Sequence, residues 1–132
     1  MQADVLRLAP GEDLRLALGE VLASRGVKAA CVLSAVGSFT QAVLRFAGDS
    51  EGTAIDGPLE LLALSGTISL DGPHLHASVS DAHGNVRGGH VMAGCIVRTT
   101  AEIVLGLLPR WEFRRELDAA TGYPELLARR LG

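Results

Sequence analysis

The chain has four histidines, and all of them fall in HLHASVSDAHGNVRGGH, residues 74–90. Neutral imidazole is a good donor to zinc and other divalent first-row ions, and its charge changes near neutral pH. In an extended segment, residues two apart share a face. His74 and His76 therefore project together, while Leu75, Ala77 and Val79 project toward a core. Asp81-Ala82-His83-Gly84-Asn85 has the composition of a turn, so the two flanking segments are expected to form a hairpin. With all five residues in the loop, Ser80 pairs with Val86, and further out His76 faces His90, with Cβ atoms about 4.5–5.5 Å apart. His74 lies one pleat along on the same face. Three imidazoles then occupy three positions around a tetrahedral ion and leave one for water or substrate, the pattern of catalytic rather than closed structural zinc.

Val91, Ala93 and Cys95 are expected on the core face beside Leu75, Ala77 and Val79, which agrees with the same register. A different loop length, or a bulge at Gly88-Gly89, breaks it. The competing reading is a surface His-x-His pair with a bystander in Gly-Gly-His. His83 lies in the turn and is expected to be exposed and not a ligand. Glu60, in Pro-Leu-Glu-Leu-Leu, and Glu102, in Thr-Thr-Ala-Glu-Ile-Val, are candidates for a fourth ligand or a supporting carboxylate. The alternative for each is an exposed strand glutamate.

The elements that must hold these residues can be read from periodicity. Residues 3–8 read as a strand stopped by Pro10-Gly11. Leu14, Ala17, Leu18, Val21 and Leu22 form one apolar stripe at the helical period, which predicts a core helix ending near Gly26. Residues 29–36 and 39–47 read as two strands of a hairpin about Gly37-Ser38, and residues 48–58 as a loop. A strand over 58–70, bent at Gly66, precedes the histidine hairpin, whose second arm runs over 86–97. Residues 99–108 read as another strand, and PELLARRL in the tail as a short helical patch. One early helix against a mainly antiparallel sheet is an α+β pattern, in a single domain spanning 1–132.

Composition narrows the function classes. Hydrophobic residues make up 48% and the net charge is −3. A protein that grips duplex DNA through many phosphates usually carries a basic patch. Here Arg110, Arg114, Arg115, Arg129 and Arg130 are interleaved with Glu112, Glu116, Asp118 and Glu125, the signature of a solvated face. Cys31 and Cys95 are isolated in apolar runs and do not form a secreted disulfide framework, so reduced, buried thiols and a cytoplasmic location are expected. No signal peptide is expected at the N-terminus, and no apolar run is long enough to span a membrane.

Six motifs occur in order along the chain: Leu8-Ala9-Pro10-Gly11-Glu12-Asp13-Leu14, Ser34-Ala35-Val36-Gly37-Ser38, Leu59-Glu60-Leu61-Leu62-Ala63-Leu64-Ser65-Gly66-Thr67, His74-Leu75-His76, Gly84-Asn85-Val86-Arg87-Gly88-Gly89-His90 and Thr100-Ala101-Glu102-Ile103-Val104. With them the sequence resembles the PPC ("plants and prokaryotes conserved") domain family, in its stand-alone prokaryotic form. The resemblance implies a compact α+β domain with an antiparallel sheet wrapped against a helix, commonly a homotrimer. In plants the domain follows an AT-hook in nuclear DNA-binding proteins, and the prokaryotic members carry a DNA-binding label by that association. This chain has no Arg-Gly-Arg-Pro hook and keeps three histidines that the plant domains generally lack. His-Leu-His followed by Gly-Gly-His-Val is also similar to the zinc-ligand segment of acetolactate decarboxylase. That likeness implies His74, His76 and His90 as zinc ligands, whereas the other catalytic groups of the longer enzyme are not identifiable. The expectation is a homotrimeric zinc-binding PPC-domain protein with a DNA-binding or regulatory role. The alternatives are a small lyase- or hydrolase-like zinc enzyme, or a scaffold that keeps its zinc as a relic.

Overall fold

The computed structural model describes residues 1–132. In chain order the elements are β1 (Gln2–Leu8), α1 (Leu14–Gly19), α2 (Val21–Arg25), β2 (Ala30–Arg45), β3 (Thr53–Ser69), β4 (Gly72–Ser80), β5 (Val86–Val91), β6 (Ile96–Leu107), β7 (Trp111–Leu117) and β8 (Pro124–Arg130). The first six strands form one antiparallel sheet in the order β1-β6-β2-β3-β4-β5. The end of β2 also pairs with β5, placing Leu44 opposite Val91 and Arg45 opposite His90, so β2 to β5 close on themselves. Register shifts at Val32/Ser34, Phe39/Gln41 and Leu61/Ala63 interrupt the long strands. Such irregularities bend a strand and increase its local twist, which suits this closure. β7 and β8 form a separate two-stranded ribbon.

The inward faces of the sheet supply most of one contiguous core that includes Phe39, Leu59, Leu61, Leu75, Val79, Ile103 and Leu105. Of the expected stripe, Leu14, Leu18, Val21 and Leu22 are buried there too, and Ala17 packs against them half-buried. Yet the expected single N-terminal core helix is two short helices. At Gly19, a poor helix former, the chain tightens: Glu20 N donates to Ala17 O, three residues back, before α2 begins. The sheet therefore carries the fold, with the two helices closing one side.

Three further expectations are corrected. Residues 30–45 are one strand, not a hairpin. Gly37 is where β2 lies flush on β6: an added Cβ would stand 2.5 Å from the Thr100 carbonyl oxygen and 2.7 Å from Ala101 Cα. It reads like a turn residue but marks a close backbone approach. The expected loop over 48–58 is shorter, because β3 already begins at Thr53. The expected helix in PELLARRL is strand β8, in register with β7 from Leu117↔Pro124 to Trp111↔Arg130. The expected bend at Gly66 coincides with φ 147°, and an added Cβ there would run into the His74 carbonyl.

Candidate metal centre

β4 and β5 pair in the register implied by the turn, with Ser80 opposite Val86 and His76 opposite His90. Asp81 closes that turn. Its carboxylate accepts from His83 N (2.9 Å), Asn85 N (2.9 Å) and Asn85 Nδ2 (3.2 Å), and its own N–H donates to Asn85 O (3.0 Å). The ladder runs through Gly88 and Gly89 without a shift, so the feared bulge is absent. Leu75, Ala77, Val79 and Val91 face the core as expected. Ala93 is exposed instead, because β5 ends at Val91 and the chain turns before β6.

On the other face the three rings converge. Ring centroids lie 5.1 Å apart for His74–His76, 5.3 Å for His74–His90 and 5.9 Å for His76–His90. One nitrogen from each ring lies within 4.8 Å of the other two. Ligand nitrogens on a tetrahedral zinc, with Zn–N near 2.0–2.1 Å, stand roughly 3.3 Å apart. Modest ring rotations close that gap, so the donor set fits such an ion. Burial pushes the His90 pKa down to about 4, helped by the charges of Arg45, His74, Arg15 and His76. Burial, then Arg115 and His76, also lowers His74, against a smaller raising effect of Glu125. Both rings are therefore neutral near pH 7, the form in which imidazole donates to a metal.

The helices help to fix His90. Asp13 caps α1 by accepting from Leu16 N (3.1 Å), while its second oxygen accepts from Gly94 N (2.7 Å). Arg15 donates to the Val91 carbonyl (3.1 Å), next to His90.

The rings open into a cleft of about 1270 Å³ that is also lined by Arg15, Arg45, Asp49, Asp71, Arg115, Tyr123 and Glu125. Neither carboxylate proposed from sequence is there. Glu60 sits opposite Ser80, toward the turn end of β4, and Glu102 lies between Arg7 and Val36 on β1 and β2. Both are exposed strand glutamates, as is His83 an exposed turn residue. The residues that do line the cleft come from five separate segments. Only their long-range pairing unites them: Arg45 arrives through β2–β5, and Arg115 through its hydrogen bond to Thr67 (2.9 Å), itself opposite His74.

Both cysteines are free; Cys95 is buried, which pushes its thiol pKa up, but Cys31 is only half-buried. The interleaved charges of the tail gather on Glu112, whose carboxylate faces Arg129 (3.2 Å), Arg114 (3.5 Å) and Lys28 (3.7 Å). No helix is long and apolar enough to cross a membrane.

Residues 1–109 match the model of the Plants and Prokaryotes Conserved (PCC) domain, the domain abbreviated PPC above. Over 121 residues, 92% of the chain, the sequence is 49% identical to the bifunctional protein GlmU of a Synechococcus strain, and spans 19% of that protein's length. It is 36% identical to AT-hook motif nuclear-localized protein 10 of Arabidopsis thaliana, over 77% of this chain and 31% of the plant protein. A hypothetical protein of Salmonella enterica shares the fold with TM-score 0.94 and 40% identity, over 98% of this chain and 94% of that one. A metal-containing protein of Archaeoglobus fulgidus superposes with TM-score 0.78 and 31% identity, over 96% and 94% of the two chains.

Proposed function

The chain belongs to the Plants and Prokaryotes Conserved domain family, and on that premise we propose that it is a homotrimeric metal-binding domain in which His74, His76 and His90 hold one zinc, or another divalent first-row ion, per chain. The observation that carries this reading is the meeting of three imidazole nitrogens within 4.8 Å on the solvent side of β4 and β5. The metal-containing relative from Archaeoglobus supports it. Self-association is supported by an apolar outer face: Val5, Leu33, Val36 and Leu62 are 66%, 47%, 55% and 51% exposed on β1, β2 and β3. Exposed apolar groups of this kind favour contact with another protein surface. Elemental analysis paired with mass in solution tests both halves. One ion per chain and about three times 13.8 kDa are expected. No metal after reconstitution near pH 7 removes the centre, and a monomer removes the trimer.

Catalysis is the alternative favoured by one specific feature, the cleft into which the rings open. Zinc held by three imidazoles keeps a position where it can polarise a carbonyl or activate water. Asp49, Asp71, Tyr123 and Glu125 are the acidic and phenolic groups that line the cleft and could carry a proton in such a reaction. A screen for carbonyl lyase and hydrolase turnover, with the metal-depleted protein as control, tests this role.

Direct DNA binding draws support from the plant relative's name. It is opposed by the net charge of −3 and by the way Glu112 pairs with two of the tail's cations, Arg114 and Arg129, and with Lys28. A gel-shift series at low and moderate salt decides, and no shift at micromolar protein ends it.

A further inference from the structure

Arg15, Arg45 and Arg115 reach the same cleft from α1, β2 and β7. Together they ring the three imidazoles. Arg45 sits directly opposite His90 in the β2–β5 ladder. Arg115 is fastened on the other side by its bond to Thr67, and Thr67 is opposite His74. Arg15 reaches in above Val91 and donates to its carbonyl. The fold's ion pairs join Arg25 to Asp4, and Lys28, Arg114 and Arg129 to Glu112. None involves the three arginines of the cleft. Asp49, Asp71 and Glu125 line the same space, yet none comes within ion-pair distance of those guanidiniums. Asp71 accepts instead from the backbone N–H of Arg115 (2.8 Å).

Guanidinium groups offer planar, bidentate donors that match carboxylate and phosphate, and three of them line this cleft without a carboxylate partner from the protein. We propose that this cleft binds a small organic anion bearing a carboxylate or phosphate group. In it, Arg45 and Arg115 take the charged oxygens from opposite sides, and the remainder of the molecule faces the three imidazoles. The inference deepens the metal-centre reading, on which it rests for what stands at the middle of the cleft. The arginine contacts themselves are made by side chains of this chain alone.

Calorimetric titration of the full chain with malonate and with inorganic phosphate, at constant ionic strength set by chloride, tests the assignment. Acetamide serves as a neutral control, and metal content is measured on every sample. Saturable binding of either anion is expected, weakened about 10-fold or more in Arg45→Gln and again in Arg115→Gln, with metal content and far-UV spectrum unchanged. A preference for malonate identifies a carboxylate ligand, and a preference for phosphate identifies a phosphorylated one. The Arg45 side chain makes no hydrogen bond or ion pair within the fold, so its variant keeps the test valid even where Arg115→Gln disturbs Thr67. Protein that carries metal but binds neither anion, or binds equally well in both variants, overturns the proposal alone. Protein that takes up no metal yet binds anion in an arginine-dependent way overturns the metal centre and leaves this assignment standing.

Discussion

Two hairpins of this molecule use the same backbone pattern to opposite ends. In β4 every second residue from Leu75 to Val79 is buried, joined by Val91 at the end of β5, and the opposite face carries the imidazoles. In β7–β8 the second strand is exposed along its whole length, and the ribbon is tied to the body by Phe113, Glu112 and backbone bonds from Phe113 to Lys28 and Leu70. One hairpin is fixed by apolar burial, which resists water and salt. The other is held by one buried aromatic ring, a few backbone bonds and the Glu112–Lys28 pair. The family model ends at residue 109, between the two. The lesson is that a chemical centre is placed where the opposite face is anchored most firmly, because ring positions can be no better defined than the backbone below them.

Four experiments break or sharpen that contrast. The largest effect is expected from His76→Ala, which removes the middle ring. Metal affinity should drop by more than about 100-fold, beyond the range for losing a supporting partner, and elemental analysis after dialysis reads it. The metal-free stability of this variant should stay close to that of the parent, since His76 is exposed. Leu75→Ala strikes the anchored face instead. Leu75 is fully buried, so a loss of about 2–5 kcal/mol is expected in urea unfolding of metal-free protein.

Acid should separate the two hairpins. The His90 pKa is depressed in the fold to about 4, so the unfolded chain binds more protons between there and its ordinary value. Stability of the metal-free protein is therefore present above about pH 6.5 and falls as pH drops toward 4. Urea midpoints at pH 7, 5.5 and 4 should show the fall, and His90→Gln should flatten it. The smallest effect belongs to Glu112→Gln. Burial raises the Glu112 carboxyl pKa, but Arg129, Arg114 and Lys28 more than offset that, so it titrates below the ordinary carboxylate range. Its contribution is present above the unfolded carboxylate pKa and is lost only as pH falls further, through the folded value. The variant should lose this low-pH step and leave the histidine window untouched.

The same contrast explains what was legible in the sequence. Apolar alternation through LHASV and a turn of recognisable composition fix which rings meet, and the structure has that register residue for residue. After Pro124 the tail offered no alternation, only Glu, Leu, Ala and Arg, all good helix formers. Its strand identity comes from pairing with β7 and cannot be read from propensity. Gly37 misled for a related reason: glycine marks both turns and places where two backbones press together, and only the partner strand tells them apart. The arginines of the cleft were invisible as a group because three separate long-range contacts deliver them.

The Asp81 turn has one more consequence. Because the mutual alignment of His76 and His90 is set by that turn, and His74 rides on the same strand as His76, the whole donor set is a portable cassette. One residue gained or lost between 81 and 85, with no compensating bulge in β4 or β5, would turn His90 toward the interior.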